Sequence, residues 1–186
     1  ASAQDAAALG VFSNASLVEM QSLIGDSLDV TEIRGSVPDR LRTAYRAASP
    51  AARMEAIRSL WGEAEGADQR SARQILTAVA ASRIPPSAEL GADVPELIAS
   101  MLSAGMDREA VRWSGAVDDM DGGAARNRAW ALLAVASPEP QVDISGGWIG
   151  NYRETDDRAG NYKSKLLVPA LAGLGRIGES QAEKLA

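Results

Sequence analysis

The sequence predicts an all-α chain, with antiparallel helix pairs stacked as a short irregular α-solenoid or bundle. Three observations predict it. Apolar residues recur at three-, four- and seven-residue spacing along most of the chain, the interval that lines one face of a helix. Ser/Asp-x-Pro starts and glycine stops punctuate those runs consistently, and local signals that agree with one another specify a fold. Alanine, the best helix former, supplies 35 of the 186 residues, whereas Phe, Trp and Tyr together make 4 %. An apolar content of 46 % suffices for one core. The expected organisation is a loose segment at 1–14 and a single helical domain over 15–186, with a sub-boundary at 138–157.

The elements follow in order. The first helix covers about 15–25, with Asn14 as N-cap and Leu17, Val18, Met20, Leu23 and Ile24 carrying its spacing. The next starts at Ser36 with Pro38 in its first turn, where a missing N–H is harmless. Ser49 and Pro50 repeat that device for a helix that buries Met54, Ile57, Leu60 and Trp61 and ends near Gly66. Another runs from Asp68 to just before Pro85-Pro86. Asp93, with Pro95 early, opens a helix closed by Gly105, and Asp107 caps the helix "DREAVRWSGAVDD". "GAARNRAWALLAVAS" stops at Ser137-Pro138. A polar, glycine-bearing connection at 138–157 leads to a last long helix at about 158–175 and a short one at 179–185.

Helix, tight turn, capping residue and helix in "SMLSAGMDREAVRW" form an αα-hairpin, the unit that α-solenoids stack. No fixed period emerges, only echoes such as "AARMEAIRSLW" at 51–61 beside "AARNRAWALL" at 124–133. The architecture resembles tetratricopeptide-type proteins in style, without meeting the consensus positions of those repeats. The stretches "FSNASLVEM", "RIPPS", "LIASMLSAGMDREAVRW" and "LAGLGR" resemble uncharacterised alanine-rich helical proteins of alphaproteobacteria. That resemblance spans most of the chain, implies a bacterial helical domain, and carries over no functional residue.

Four strings imitate chemistry. Gly25-Asp26-Ser27-Leu28 spells the nucleophile block of the GDSL esterases, but a serine nucleophile needs a general base and the chain has no histidine. The lysines that could replace it, Lys163, Lys165 and Lys184, lie far along the chain. Gly173, Gly175 and Gly178 match a dinucleotide fingerprint by letter, yet Pro169 interrupts the strand that should precede them. Helical spacing of Leu166, Leu167, Ala170, Leu171, Leu174 and Ile177 instead assigns these glycines to close helix approach and helix termination. Asp119, Asp121 and Gly122 match the middle of a calcium loop whose ends, Val117 and Arg128, cannot ligate, so they read as a turn capping the helix that follows. Glu179-Ser180 resembles the acid of lytic transglycosylases without the domain that should follow.

No cysteine and no histidine means no thiol nucleophile and no ordinary transition-metal site, and no cofactor or metal is expected. A net charge of −6, with arginines scattered rather than clustered, argues against nucleic acid. No apolar run reaches the length of a membrane span. The opening "ASAQD" reads either as a domain cut from a longer protein or as the A-x-A end of a secretory signal, which points toward the periplasm or export.

Trp61, Trp113 and Trp130 fit helix-pair cores, while Trp148, Ile149 and Tyr152 sit in the polar connection. Exposed Trp and Tyr give large contact area at low entropy cost, which makes these three the candidate partner contact; folding of Trp148 back onto the core is the competing account. The functional expectation is a non-catalytic, helical-repeat-like module for protein–protein contact or assembly. The alternative is an accessory helical domain of a larger bacterial cell-envelope enzyme, and a hydrolase working with carboxylates alone comes third.

Overall fold

A computed structural model describes residues 12–157 and 159–185, so the expectations for 1–11, including the secretory reading of the first residues, lie outside the described residues. The described residues form eleven α-helices and one short 3₁₀ turn, with no strand among them. The all-α expectation holds. No helix among them is long and apolar enough to cross a membrane. The contacts divide the chain into two compact units. The first runs to Pro85 and takes in Ala99–Met106; the second comprises Pro86–Ile98 and Asp107 onward. The segment 138–157 lies inside the second unit.

In the first unit, α1 (Asn14–Ser27), α2 (Val37–Arg46), α3 (Pro50–Gly62) and α4 (Gly66–Ala81) precede the last part of α5 (Asp93–Ser103). Helices α2 and α3, joined by a short link at 47–49, pack along each other, and α1 and α4 lie against α2. Leu17, Leu41, Leu60, Ala72, Ile75 and Leu76 make the shared core. Met54, Ile57, Leu60 and Trp61 are buried as their spacing predicts. Ser36 and Ser49 accept from Asp39 N and Ala52 N, so both Ser/Pro starts act as expected.

Three details of this unit differ from expectation. Ser13, not Asn14, caps α1, accepting from Ser16 N; Asn14 instead donates to the carbonyls of Ile75 and Leu76 at 2.6 and 3.1 Å. Helix α3 stops at Gly62, and Gly66, with φ +83, opens α4 two residues before Asp68. Leu23 and Ile24, which carry the helical spacing of α1 in the sequence, are exposed. The GDSL letters have a packing role. A Cβ on the buried Gly25 would stand 2.9 Å from Pro38 Cβ, so only glycine permits this approach of α2 to α1. Ser27 Oγ donates back to Ile24 O at 2.7 Å, closing the last turn.

In the second unit, the first part of α5 is followed by α6 (Asp107–Val111), α7 (Ser114–Asp118), α8 (Ala124–Ala136), α9 (Gly146–Glu154), α10 (Tyr162–Gly173) and α11 (Glu179–Leu185). Helix α8 is central, touching α6, α7, α9 and α10. It buries Asn127, Ala129, Trp130, Leu133 and Ala134, so apolar residues cover more than one face. The helix expected from Asp107 is broken in two. Trp113, 1 % exposed, turns inward at the break with its backbone N–H on Ala110 O, and Ser114 Oγ donates to Val111 O. Ser114-Gly115 favours helix weakly enough for burial of one indole to decide the path.

The 138–157 connection is also corrected: more than a third of it is α9, whose Gly146, Gly147 and Gly150 hide the helix from propensity. Helix α10 runs over 162–173 rather than 158–175 and keeps Pro169 inside it, which removes the strand reading. It ends in a Schellman pattern, with Gly175 at φ +67, Gly175 N on Ala172 O and Arg176 N on Leu171 O. Termination is therefore the role of Gly175. Close approach is not, since a Cβ on Gly173, Gly175 or Gly178 would meet nothing within 4 Å. The buried face of α10 is Ser164, Leu167, Val168 and Leu171; Leu166 and Leu174 are exposed instead.

Candidate functional site

The second unit holds a groove of about 980 Å³ bounded by α5, α8 and α10, with the end of α9 at its rim. Helix α8 contributes Ala124, Ala125, Ala131, Leu132 and Val135, and α10 contributes Leu166, Leu167 and Ala170. The floor is thus apolar and mostly small. Ion pairs stand on the rim: Arg128 with Glu96, and Lys163 with Asp157. Tyr152, Thr155 and Asp156 complete it.

Two side chains build the rim. Asp156 accepts from Ser164 N at 2.8 Å and Ser164 Oγ at 2.9 Å, which caps the first turn of α10 from eight residues upstream. Asn161, at the cap position itself, makes no side-chain capping bond and has φ 53. Buried Asn127 of α8 donates to Asn151 O at 2.8 Å and Thr155 Oγ1 at 2.9 Å, holding the end of α9 against α8. Sequence spacing gives no hint of either bond, because each joins residues with no helical periodicity between them.

The three candidate contact residues have different fates. Ile149 is 2 % exposed and presents no surface. Trp148 is half-buried, its ring stacked on Trp130 with centroids 5.6 Å apart and planes 11° from parallel. The Arg126 guanidinium covers Trp148 at 4.3 Å and is itself held by the carbonyls of Val117 and Asp118. Tyr152, half-buried, tilts against Trp130 at 6.2 Å and faces the groove. Burial lifts its phenol above the ordinary value of 10.0, Lys163 pulling it back. Of the three, Tyr152 alone belongs to the groove.

The strings that imitate chemistry stay apart from it. Asp119 follows α7 and Gly123, with φ 137, precedes α8, so the acidic turn caps through no side-chain bond. Among the described residues no group of three acidic side chains could hold a metal ion. Glu179 and Ser180 open α11 and are exposed. Comparison with family models, curated proteins and solved structures finds no significant match for the chain.

Proposed function

We propose that the chain is a non-catalytic helical module for protein–protein contact or assembly, and that the groove of its second unit is the contact surface. The observation that carries this reading is an apolar floor within a rim of charges paired among themselves. Such a floor suits the apolar face of a partner's amphipathic helix, and small side chains let two helices approach closely. Paired rim charges orient a partner more than they attract it. The groove carboxylates are engaged by neighbours, Glu96 by Arg128, Asp157 by Lys163 and Asp156 by Ser164, which favours a scaffold over acid–base chemistry.

Leu166, 55 % exposed, is the place to test it. A partner captured from the native host is purified and titrated directly against the chain and against Leu166→Glu. The charge on the floor is expected to weaken binding about tenfold or more while circular dichroism stays unchanged. Equal affinity for both proteins moves the contact surface out of the groove.

A further inference from the structure

Helix α10 buries one face in the second unit and leaves the opposite face bare. Tyr162 is 61 % exposed, Leu166 55 %, and Leu174, one residue past the helix end, 51 %. Pro169 and Gly173 are exposed as well. Tyr162, Leu166, Pro169 and Gly173 follow one another at four, three and four residues. They therefore form a single stripe along the whole helix, at the spacing with which two helices pack knobs into holes. Of the four, Leu166 alone lines the groove. Charge on α10 runs against its own dipole. Lys163 and Lys165 stand near its positive end, and its last turn carries no basic residue. Asp157 holds Lys163, whereas among the described residues no carboxylate lies within ion-pair distance of Lys165.

We propose that two copies of the chain associate through this stripe, with their α10 helices antiparallel. The four-three-four spacing reads the same from either end, as a two-fold interface between identical chains requires. Antiparallel copies centred between residues 167 and 168 set Tyr162 of each opposite Gly173 of the other, and Leu166 opposite Pro169. Each phenol ring then covers a place where a side chain is missing, since a Cβ on Gly173 meets nothing within 4 Å. Large against small at both ends lets the two helices approach closely. The same register brings Lys165 of each copy to the last turn of the other, where free carbonyls carry the negative end of the dipole. A parallel pair would instead stack Tyr162 on Tyr162 and set Lys165 beside Lys165. Association of this kind does not require the groove to be occupied.

Sedimentation equilibrium of the whole chain over a wide concentration range should show a reversible monomer–dimer transition. Tyr162→Ala should weaken the dimer about tenfold or more. Lys165→Glu should weaken it several-fold at low ionic strength, and less at high. Leu23→Ala, which trims a similarly exposed side chain in the first unit, should leave it unaltered. Should Tyr162→Ala lose helix by circular dichroism, Gly173→Tyr decides in its place: the new ring has open space in the free chain and collides with Tyr162 of the other copy. Cross-linking reads the orientation, in a chain with no cysteine of its own. Mixed Tyr162→Cys and Gly173→Cys chains should form a disulfide with each other on oxidation. Tyr162→Cys by itself should not, because its two thiols stand about 16 Å apart along the axis of an antiparallel pair. A monomer at every concentration overturns the proposal and leaves the stripe to a different protein. So do equal losses in Leu23→Ala, an unweakened dimer in Gly173→Tyr, or a disulfide between two Tyr162→Cys chains. The groove reading survives each of these results, since none of the substituted residues lines the groove.

Discussion

Trp61 in the first unit and Trp130 in the second are both buried, at 5 % and 0 % exposure, yet their indole N–H groups are satisfied differently. Trp61 Nε1 donates to Thr77 Oγ1 at 2.9 Å. Thr77 Oγ1 lies 2.8 Å from its acceptor, Arg73 O, and 3.3 Å from Ser100 Oγ, which donates to Gln74 O. Trp130 Nε1 donates to a backbone carbonyl, Asp143 O, at 2.8 Å, and its ring carries Trp148 and Tyr152. The first arrangement rests on the identity of one hydroxyl. The second rests on the path of the chain between α8 and α9, which no single side chain specifies.

The largest expected effect breaks the second arrangement. Trp130→Ala should cost about 3–5 kcal/mol in urea unfolding, because it opens a cavity and removes the surface on which α9 packs. Trp148→Ala, which leaves Trp130 in place, should cost about 2 kcal/mol, the scale of one aromatic stack and one cation–π contact with some burial. A Trp148→Ala loss within about 0.5 kcal/mol would return Trp148 to the exposed surface that the sequence suggests.

Thr77→Val sharpens the contrast. It keeps the shape but leaves the indole N–H of Trp61 without its acceptor, an expected cost of about 1.5 kcal/mol. Asp143→Ala, at an exposed position, should stay within about 0.5 kcal/mol, since the acceptor for Trp130 is the backbone. Equal costs for the two substitutions would erase the distinction.

The smallest effect is alkaline. Burial raises the phenols of Tyr45 and Tyr152 above 10.0, so folding favours the neutral form of each. Their contribution is complete below pH 10 and is lost as pH climbs through the folded values. Unfolding midpoints should therefore fall above pH 10, and Tyr45→Phe and Tyr152→Phe should each make that fall shallower. An unchanged slope in both variants would show that neither phenol is shielded.

Helices α2 and α3, and the stops at Gly105 and Gly175, are legible in the sequence because their signals act within four or five residues. A serine accepts an N–H three residues on, a proline presets φ, and a glycine adopts φ +69 or +67 where the chain must turn. The all-α class follows from the same local chemistry. Helix α9 is hidden because three glycines lower its propensity and its stability comes from Ile149, Trp148 and the long-range bond of Asn127. Trp148 and Tyr152 stand out by composition alone, and composition cannot say which side of a ring another residue covers.

The groove belongs wholly to tertiary structure. Leu166 and Leu167 are adjacent and chemically identical, yet one is 55 % exposed and the other 5 %. Periodicity states only that both are apolar; which of them faces a neighbour depends on how far α10 rotates about its axis, and that rotation is set by packing with α8 and α9. What the sequence by itself determined is the helical class and the starts of helices such as α2 and α3, because those decisions use bonds within one turn. Which faces meet, and what stands between them, was decided by contacts among residues tens of positions apart.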